Sequence, residues 1–119
     1  MSERDLVYLD SLIDAADTIR EFVGARDKQQ FFSERLVRDA VLRNLEILGE
    51  AASRVSPELQ SGHPEVEWKK AAGMRNRLAH GYLTLNMDLI WDTIKRDVPV
   101  IGEQARAIRA KIENSGSPA

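Results

Sequence analysis

The sequence predicts an all-α fold, an antiparallel up-and-down bundle of four to five helices. Apolar residues recur at spacings of three and four through most of the chain. No stretch shows strand-type alternation with β-branched enrichment, and Pro and Gly are few and fall between the periodic segments. At 119 residues the chain is sized for one domain, large enough to bury roughly two-thirds of the surface its unfolded form exposes. That domain is expected over residues 1–113, with residues 114–119, "NSGSPA", as a disordered C-terminal tail.

The first helix is expected from Glu3 to Val23, with Leu6, Leu9, Ile13, Ala16, Ile19 and Val23 as its buried stripe. Ser2 is placed as its N-cap and Gly24 at its C-cap. After "GARDKQQ", a second long helix is expected over Phe32 to Val55, carrying Val37, Val41, Leu45, Leu48, Ala52 and Val55 inward. Pro57 ends it, because the residue before a proline is pushed out of helical geometry. "SGHP" reads as a turn, with Pro64 opening a third helix that carries Val66, Trp68, Ala71, Ala72 and Leu78. "LTLN" breaks that helix, and Asn86 caps a fourth with Leu89, Ile90 and Ile94. Pro99 kinks or interrupts it before Ile101, Ala105, Ile108 and Ile112 continue the stripe. Long helices joined by short loops pack antiparallel. Trp68, Trp91, Met74 and Met87 are expected in the core.

Gly49, in "LEILGEAA", costs about 1 kcal/mol inside a helix relative to Ala; close packing of a neighbouring helix is the simplest reason for it. Glu50 beside it is either a solvated side chain or a polar group tied to the motif described next.

Composition excludes several classes of function. Cysteine is absent, so disulfides, thiolate metal sites and thiol nucleophiles are ruled out. "MSERDLVYLD" has no apolar h-region, and no run approaches the ~18 apolar residues of a membrane span; a cytoplasmic protein without membrane contact is expected. The formal net charge of −2 excludes a globally basic nucleic-acid binder. Locally, Lys69, Lys70, Arg75 and Arg77 stand against Glu65 and Glu67, a modest basic patch.

"GMRNRLAHGY", residues 73–82, places Arg75, Asn76, His80 and Tyr82 within eight residues of a mostly apolar segment. At about 100° per residue, Asn76 and His80 share a helical face, whereas Arg75 and His80 lie about 140° apart and cannot stack on a straight helix. The residue types nevertheless suit one chemistry. Arg contacts phosphate through a planar bidentate edge. His, with an ordinary pKa of about 6.5, moves protons near neutrality. Asn76 can orient the imidazole or donate to a phosphate oxygen. Together they fit attack of an RNA 2′-hydroxyl on its adjacent phosphate, with His80 moving the proton and Arg75 stabilising charge on the phosphoryl oxygens. No metal is needed for that reaction. Transesterification benefits from both an acid and a base, and His63 is the only other histidine. A two-fold homodimer would supply two copies of His80 and Arg75 to one composite cleft.

Blander readings exist: His80 as a helix cap or core residue, Arg75 and Arg77 as solvated partners of Glu65 and Glu67. A metal site from His63 and His80 has no ligand-type spacing behind it.

The runs "LRNLEILGEAASRVS", "HPEVEWKKAAGMRNRLAHGY" and "IWDTIKRDVP" resemble the HepT-like family of HEPN-domain proteins, over most of residues 1–112. The family's Arg-x4-His-x-Tyr pattern is matched by Arg75, His80 and Tyr82, with Asn76 after the arginine. The resemblance implies a helical bundle that dimerises with Arg75 and His80 in the cleft. It implies a metal-independent endoribonuclease, the toxin of a toxin–antitoxin pair, without a cofactor of its own. The antitoxin would be an MntA-type nucleotidyltransferase that uses ATP to attach AMP to Tyr82. AMP there would set anionic phosphate and bulk beside Arg75 and exclude RNA. "VEW" stands where relatives often have Ile-Pro-Trp, and Leu83 stands where an aromatic is common. The alternative is a non-catalytic dimeric partner of a nucleotidyltransferase that holds a nucleotide or phosphate.

Overall fold

The structure is a computed structural model, and it describes residues 3–75 and 86–115. Helix α1 spans Glu3–Val23, α2 Lys28–Ser33, α3 Arg35–Arg54, α4 Pro57–Gly62 and α5 Trp68–Gly73. Helix α6 spans Met87–Asp92 and runs through a π-helical turn, Thr93–Asp97, into α7, Val98–Ser115. No strand occurs among the described residues, and none of their helices is long and apolar enough to cross a membrane. The all-α bundle is as expected.

Helix α1 packs against α3 and α7, and α3 also against α5. Both α1 pairings are antiparallel. Asp5, at the start of α1, meets Ser56 just beyond the end of α3. Arg106 and Arg109 of α7 pair with Asp17 and Asp10 of α1 in reversed order. Leu9, Leu12, Ile19, Leu48, Val98 and Ile108 fill the shared interior, each nearly inaccessible to solvent. Leu6 and Ile13, expected to be buried, lie at its half-buried margin, while Asp5, Leu12 and Ala15 join the buried set.

The first helix has its expected bounds. Gly24 closes it with φ of 51°, the left-handed region that glycine enters without strain, and donates its N–H to the Arg20 carbonyl at 3.0 Å. The proposed cap Ser2 lies outside the described residues.

The second helix departs from expectation. Lys28–Ser33 forms a separate helix, nucleated by a capping box. Asp27 accepts the Gln30 N–H at 2.8 Å, and its own N–H reaches back to the Gln30 side chain at 3.0 Å. Its return is the burial of Phe31, which packs on Trp91 at 5.6 Å between ring centroids. Glu34 adopts an extended conformation and separates α2 from α3. Trp91 is thus half-buried, Trp68 and Met74 are core, and Met87 is 50% exposed, contrary to its expected place inside.

Pro57 ends α3 as expected but also opens α4, at its first turn, with Ser56 as N-cap. The third helix begins later than Pro64. Residues 63–67 form local turns in which Val66 is buried, and the Trp68 indole N–H donates to the His63 carbonyl at 3.0 Å. Asn86 caps α6 as expected, accepting the Leu89 N–H at 3.0 Å. Pro99 does not interrupt the helix. It cannot donate to the carbonyl four residues back, and the turn just before it widens, with Val98 N–H donating to the Thr93 carbonyl five residues back. Helix α7 runs two residues into the expected tail; residues 116–119 lie outside the described set.

Asp5 is 2% exposed and accepts both the Ser56 N–H, at 2.8 Å, and the Ser56 hydroxyl, at 2.7 Å. This joins the start of α1 to the α3–α4 junction. Asp5→Ala is expected to lower stability by about 1–3 kcal/mol, since it strands buried donors, while Glu3→Ala, at an exposed site in the same turn, changes it by no more than ~0.5 kcal/mol. Equal urea midpoints for the two variants would refute the Asp5 link.

Candidate functional site

Of the expected site residues, Arg75 is described; Asn76, His80 and Tyr82, with Arg77 and Leu78, lie outside the described residues. Arg75 does not stand within a helix. Helix α5 stops at Gly73, and Met74 and Arg75 form a turn in which the Met74 N–H donates to the Ala71 carbonyl at 3.2 Å. Met74 is fully buried, and this fixes the backbone at the position where Arg75 leaves the core.

Gly49 explains how that turn reaches α3. A Cβ on Gly49 would stand 2.6 Å from the Arg75 nitrogen, 3.0 Å from the Arg75 Cβ and 3.1 Å from the Ala72 carbonyl oxygen. The glycine thus serves close packing, and the group packed against it is the backbone of the motif arginine.

The next residue along α3 then meets the arginine's side chain. Arg75 Nη1 donates to Glu50 Oε2 and to Ser53 Oγ, each at 2.8 Å. Ser53 Oγ in turn donates to the Glu50 carbonyl at 2.7 Å. The second carboxylate oxygen, Glu50 Oε1, accepts from Arg54 Nε at 2.8 Å. Hydrogen bonds from Arg54 and then Arg75 hold the Glu50 carboxyl below the usual carboxylate range, against the opposing pull of desolvation. Glu50 is therefore tied to the motif, although it remains half-exposed. Arg75 does not pair with Glu65 or Glu67, so the solvated-pair reading of this arginine is set aside.

A groove of about 520 Å³ opens beside this cluster. Tyr8 and Ser11 of α1 form one wall; Arg43, Glu46, Ile47, Glu50, Ala51 and Arg54 of α3 form the other, and Arg75 lies at its edge. Three arginines face two glutamates there. Arg43 pairs with Glu46 at 3.1 Å. The groove is locally basic in an acidic chain, and guanidinium is the group best matched to planar bidentate contact with phosphate.

Of the basic patch expected over residues 65–80, Arg77 lies outside the described residues and Lys70 is already paired. Lys70 binds Asp97 at 3.1 Å and Glu67 at 3.5 Å, tying α5 to the π-helical turn, and Asp97 chiefly raises its pKa. His63 caps α4 and sets Nδ1 3.3 Å from Glu65 Oε2. Among the described residues, the basic side chains that line the groove with Arg75 come from α3, as Arg43 and Arg54. Sequence reasoning missed these, together with Ser53 and Tyr8. The signal available was the Glu50–Arg54 spacing of four, with Ser53 between them on the helix that carries Gly49.

Residues 12–108 match the family described as Ribonuclease HepT-like. A Methanocaldococcus jannaschii protein named "Putative RNase MJ1380" is 34% identical over 109 residues, which cover 91% of this chain and all of that protein. A Caldanaerobacter subterraneus protein named "Putative RNase TTE0752" is 33% identical over 104 residues, 87% of this chain and 93% of the relative. A Thermococcus cleftensis protein named "Probable ribonuclease HepT" is 31% identical over 102 residues, 86% and 93% of the two chains. No solved structure is significantly similar.

Gly49→Ala recovers about 1 kcal/mol of helix propensity, yet it forces Cβ into backbone. It is expected to be net destabilising by about 1–3 kcal/mol in urea unfolding; a more stable variant would contradict the close approach. The Glu50 carboxyl has a pKa lowered by folding, so its contribution to stability is present above the ordinary Glu value and is lost as pH falls through the lower folded value. The stability difference between wild type and Glu50→Gln is therefore expected to shrink as pH drops below the ordinary Glu range. A difference independent of pH from 7 down to 3 would exclude this linkage.

Proposed function

The chain belongs to the HepT-like ribonuclease family, and from that premise we propose that it is a metal-independent endoribonuclease, the toxin of a toxin–antitoxin pair. The observation that carries the reading is Arg75: the motif arginine stands at the edge of an arginine-lined groove, held through Nη1 alone. Its Nε and Nη2 make no hydrogen bond among the described residues, which leaves the edge that grips a phosphate bidentately.

In the proposed reaction the 2′-hydroxyl of one nucleotide attacks the adjacent phosphorus. The bond to the 5′-oxygen breaks, leaving a 2′,3′-cyclic phosphate and a free 5′-hydroxyl. One His80 takes the 2′-hydroxyl proton and a second, from the other protomer of a homodimer, gives a proton to the departing 5′-oxygen. Arg75 stabilises the charge that builds on the non-bridging oxygens, and Asn76 orients His80 or donates to the same oxygens. The nucleophile is part of the substrate, so proximity is supplied by RNA itself and the protein supplies proton transfer and charge. An MntA-type nucleotidyltransferase neutralises the toxin by transferring AMP from ATP to the Tyr82 hydroxyl, releasing pyrophosphate. The added phosphate then competes with RNA for Arg75 and repels its backbone.

Expression of wild type without a partner is expected to arrest growth and produce RNA fragments ending in cyclic phosphate. His80→Ala is expected to cut about 10²–10⁴-fold more slowly while remaining folded. With the cognate transferase and ATP, wild type should gain AMP mass and Tyr82→Phe should not. Intact RNA with folded wild type and His80→Ala alike would overturn the nuclease reading in favour of a non-catalytic nucleotidyltransferase partner. Equal modification of Tyr82→Phe would remove Tyr82 as the acceptor.

A further inference from the structure

Arg75 is 40% exposed on its side chain, and a free arginine at such a place would sample many rotamers. Here both Nη1 protons have acceptors, Glu50 Oε2 and Ser53 Oγ. Glu50 is itself held from the other side by Arg54, one helical turn along, and Ser53 is held by its bond to the Glu50 carbonyl. Gly49 fixes the backbone from which Arg75 projects. Every group that touches Arg75 in this set comes from one turn of α3, so the guanidinium is registered to a rigid helix rather than to its own turn.

We infer that Glu50, with Ser53, is a positioning residue for the motif arginine: it pins Nη1 so that the Nε–Nη2 edge is presented to an RNA phosphate in the groove. This rests on the ribonuclease reading and deepens it. The alternative role for a carboxylate here is competition, with Glu50 occupying the place of a phosphate. The geometry favours positioning, because Glu50 engages Nη1 and leaves the bidentate edge open. The two roles predict opposite effects. Removing a positioning residue slows turnover with little change in KM, whereas removing a competitor tightens RNA binding.

The test is a double-mutant cycle on RNA cleavage with Glu50→Ala, Arg75→Ala and both changes together, each checked for folding by thermal melting. Glu50→Ala is expected to lower kcat by about 10²-fold, the order of loss that a misplacement of about 1 Å produces. Its further effect in the Arg75→Ala background should be less than about twofold, as for residues that act as a unit. Glu50→Gln, which can still accept from Nη1, should recover most of the activity. Relaxation of the Arg75 side-chain ¹⁵Nε–¹H group supplies a readout independent of catalysis: ordered in wild type, and falling below an order parameter of ~0.6 in Glu50→Ala.

Wild-type cleavage by Glu50→Ala, tighter RNA binding by it, or a penalty undiminished in the Arg75→Ala background would overturn the inference. If wild type cuts no RNA, the ribonuclease reading fails by itself. The anchor is then decided by Arg75 order alone: loss of order in Glu50→Ala sustains it, and unchanged order refutes it.

Discussion

The contact on which the site depends is the approach of the Met74–Arg75 turn to Gly49. No residue with a side chain fits at that point, since its first carbon would meet the Arg75 nitrogen at 2.6 Å. The consequence is more than close packing. By bringing backbone against α3, the glycine sets the arginine within reach of the two polar residues that follow on the same helix, Glu50 and Ser53. Met74 supplies the opposing restraint, because its buried side chain prevents the turn from lifting away. An apolar anchor and a missing side chain together fix the position of a half-exposed cation. Neither feature is chemical in itself, yet both constrain where the Arg75 guanidinium is presented.

The same division between strong and weak signals explains which parts of the fold were legible in the sequence. Helix α1 was legible along its described length, because six turns of apolar periodicity average over single exceptions and Gly24 supplies a C-cap. Helices α2 and α4 were not. Each has six residues, less than two turns, and such a length carries no periodicity to detect. Only their caps, Asp27 with Gln30 and Ser56 with Pro57, mark them in the sequence. Pro99 was legible only in part: its missing N–H is a real constraint that distorts the preceding turn into a π-helical one, but it does not end the helix.

For the site, the sequence supplied a reason for Gly49 that the structure bears out, and left Glu50 open between two readings. Deciding it required the turn after α5. A straight helix through residues 64–82 would have directed Arg75 by helical angle alone, and the turn at 74–75 replaces that angle with a tertiary contact. For the same reason, the arginines that join Arg75 among the described residues come from a segment 21 and 32 residues earlier. Sequence-local charge counting could not find them, because a groove between α1 and α3 exists only once those helices are packed.

Charge is where the local and global arguments meet. A chain of net charge −2 cannot attract RNA along its whole surface. The groove resolves this by holding guanidinium groups in carboxylate pairs: Arg43 with Glu46, and Arg54 and Arg75 with Glu50. Exposed pairs of this kind contribute little to stability, so their value to the molecule lies elsewhere. They orient donors that would otherwise be mobile, and Glu50 does so for two arginines at once. Selectivity follows from that arrangement. On the proposed ribonuclease reading, a ligand gains most when it offers an anion that matches the Nε–Nη2 edge of Arg75, and long polyanions gain little from the rest of the surface. Under that proposed reading, a locally basic groove on an acidic body favours recognition of one defined phosphate over nonspecific coating of RNA.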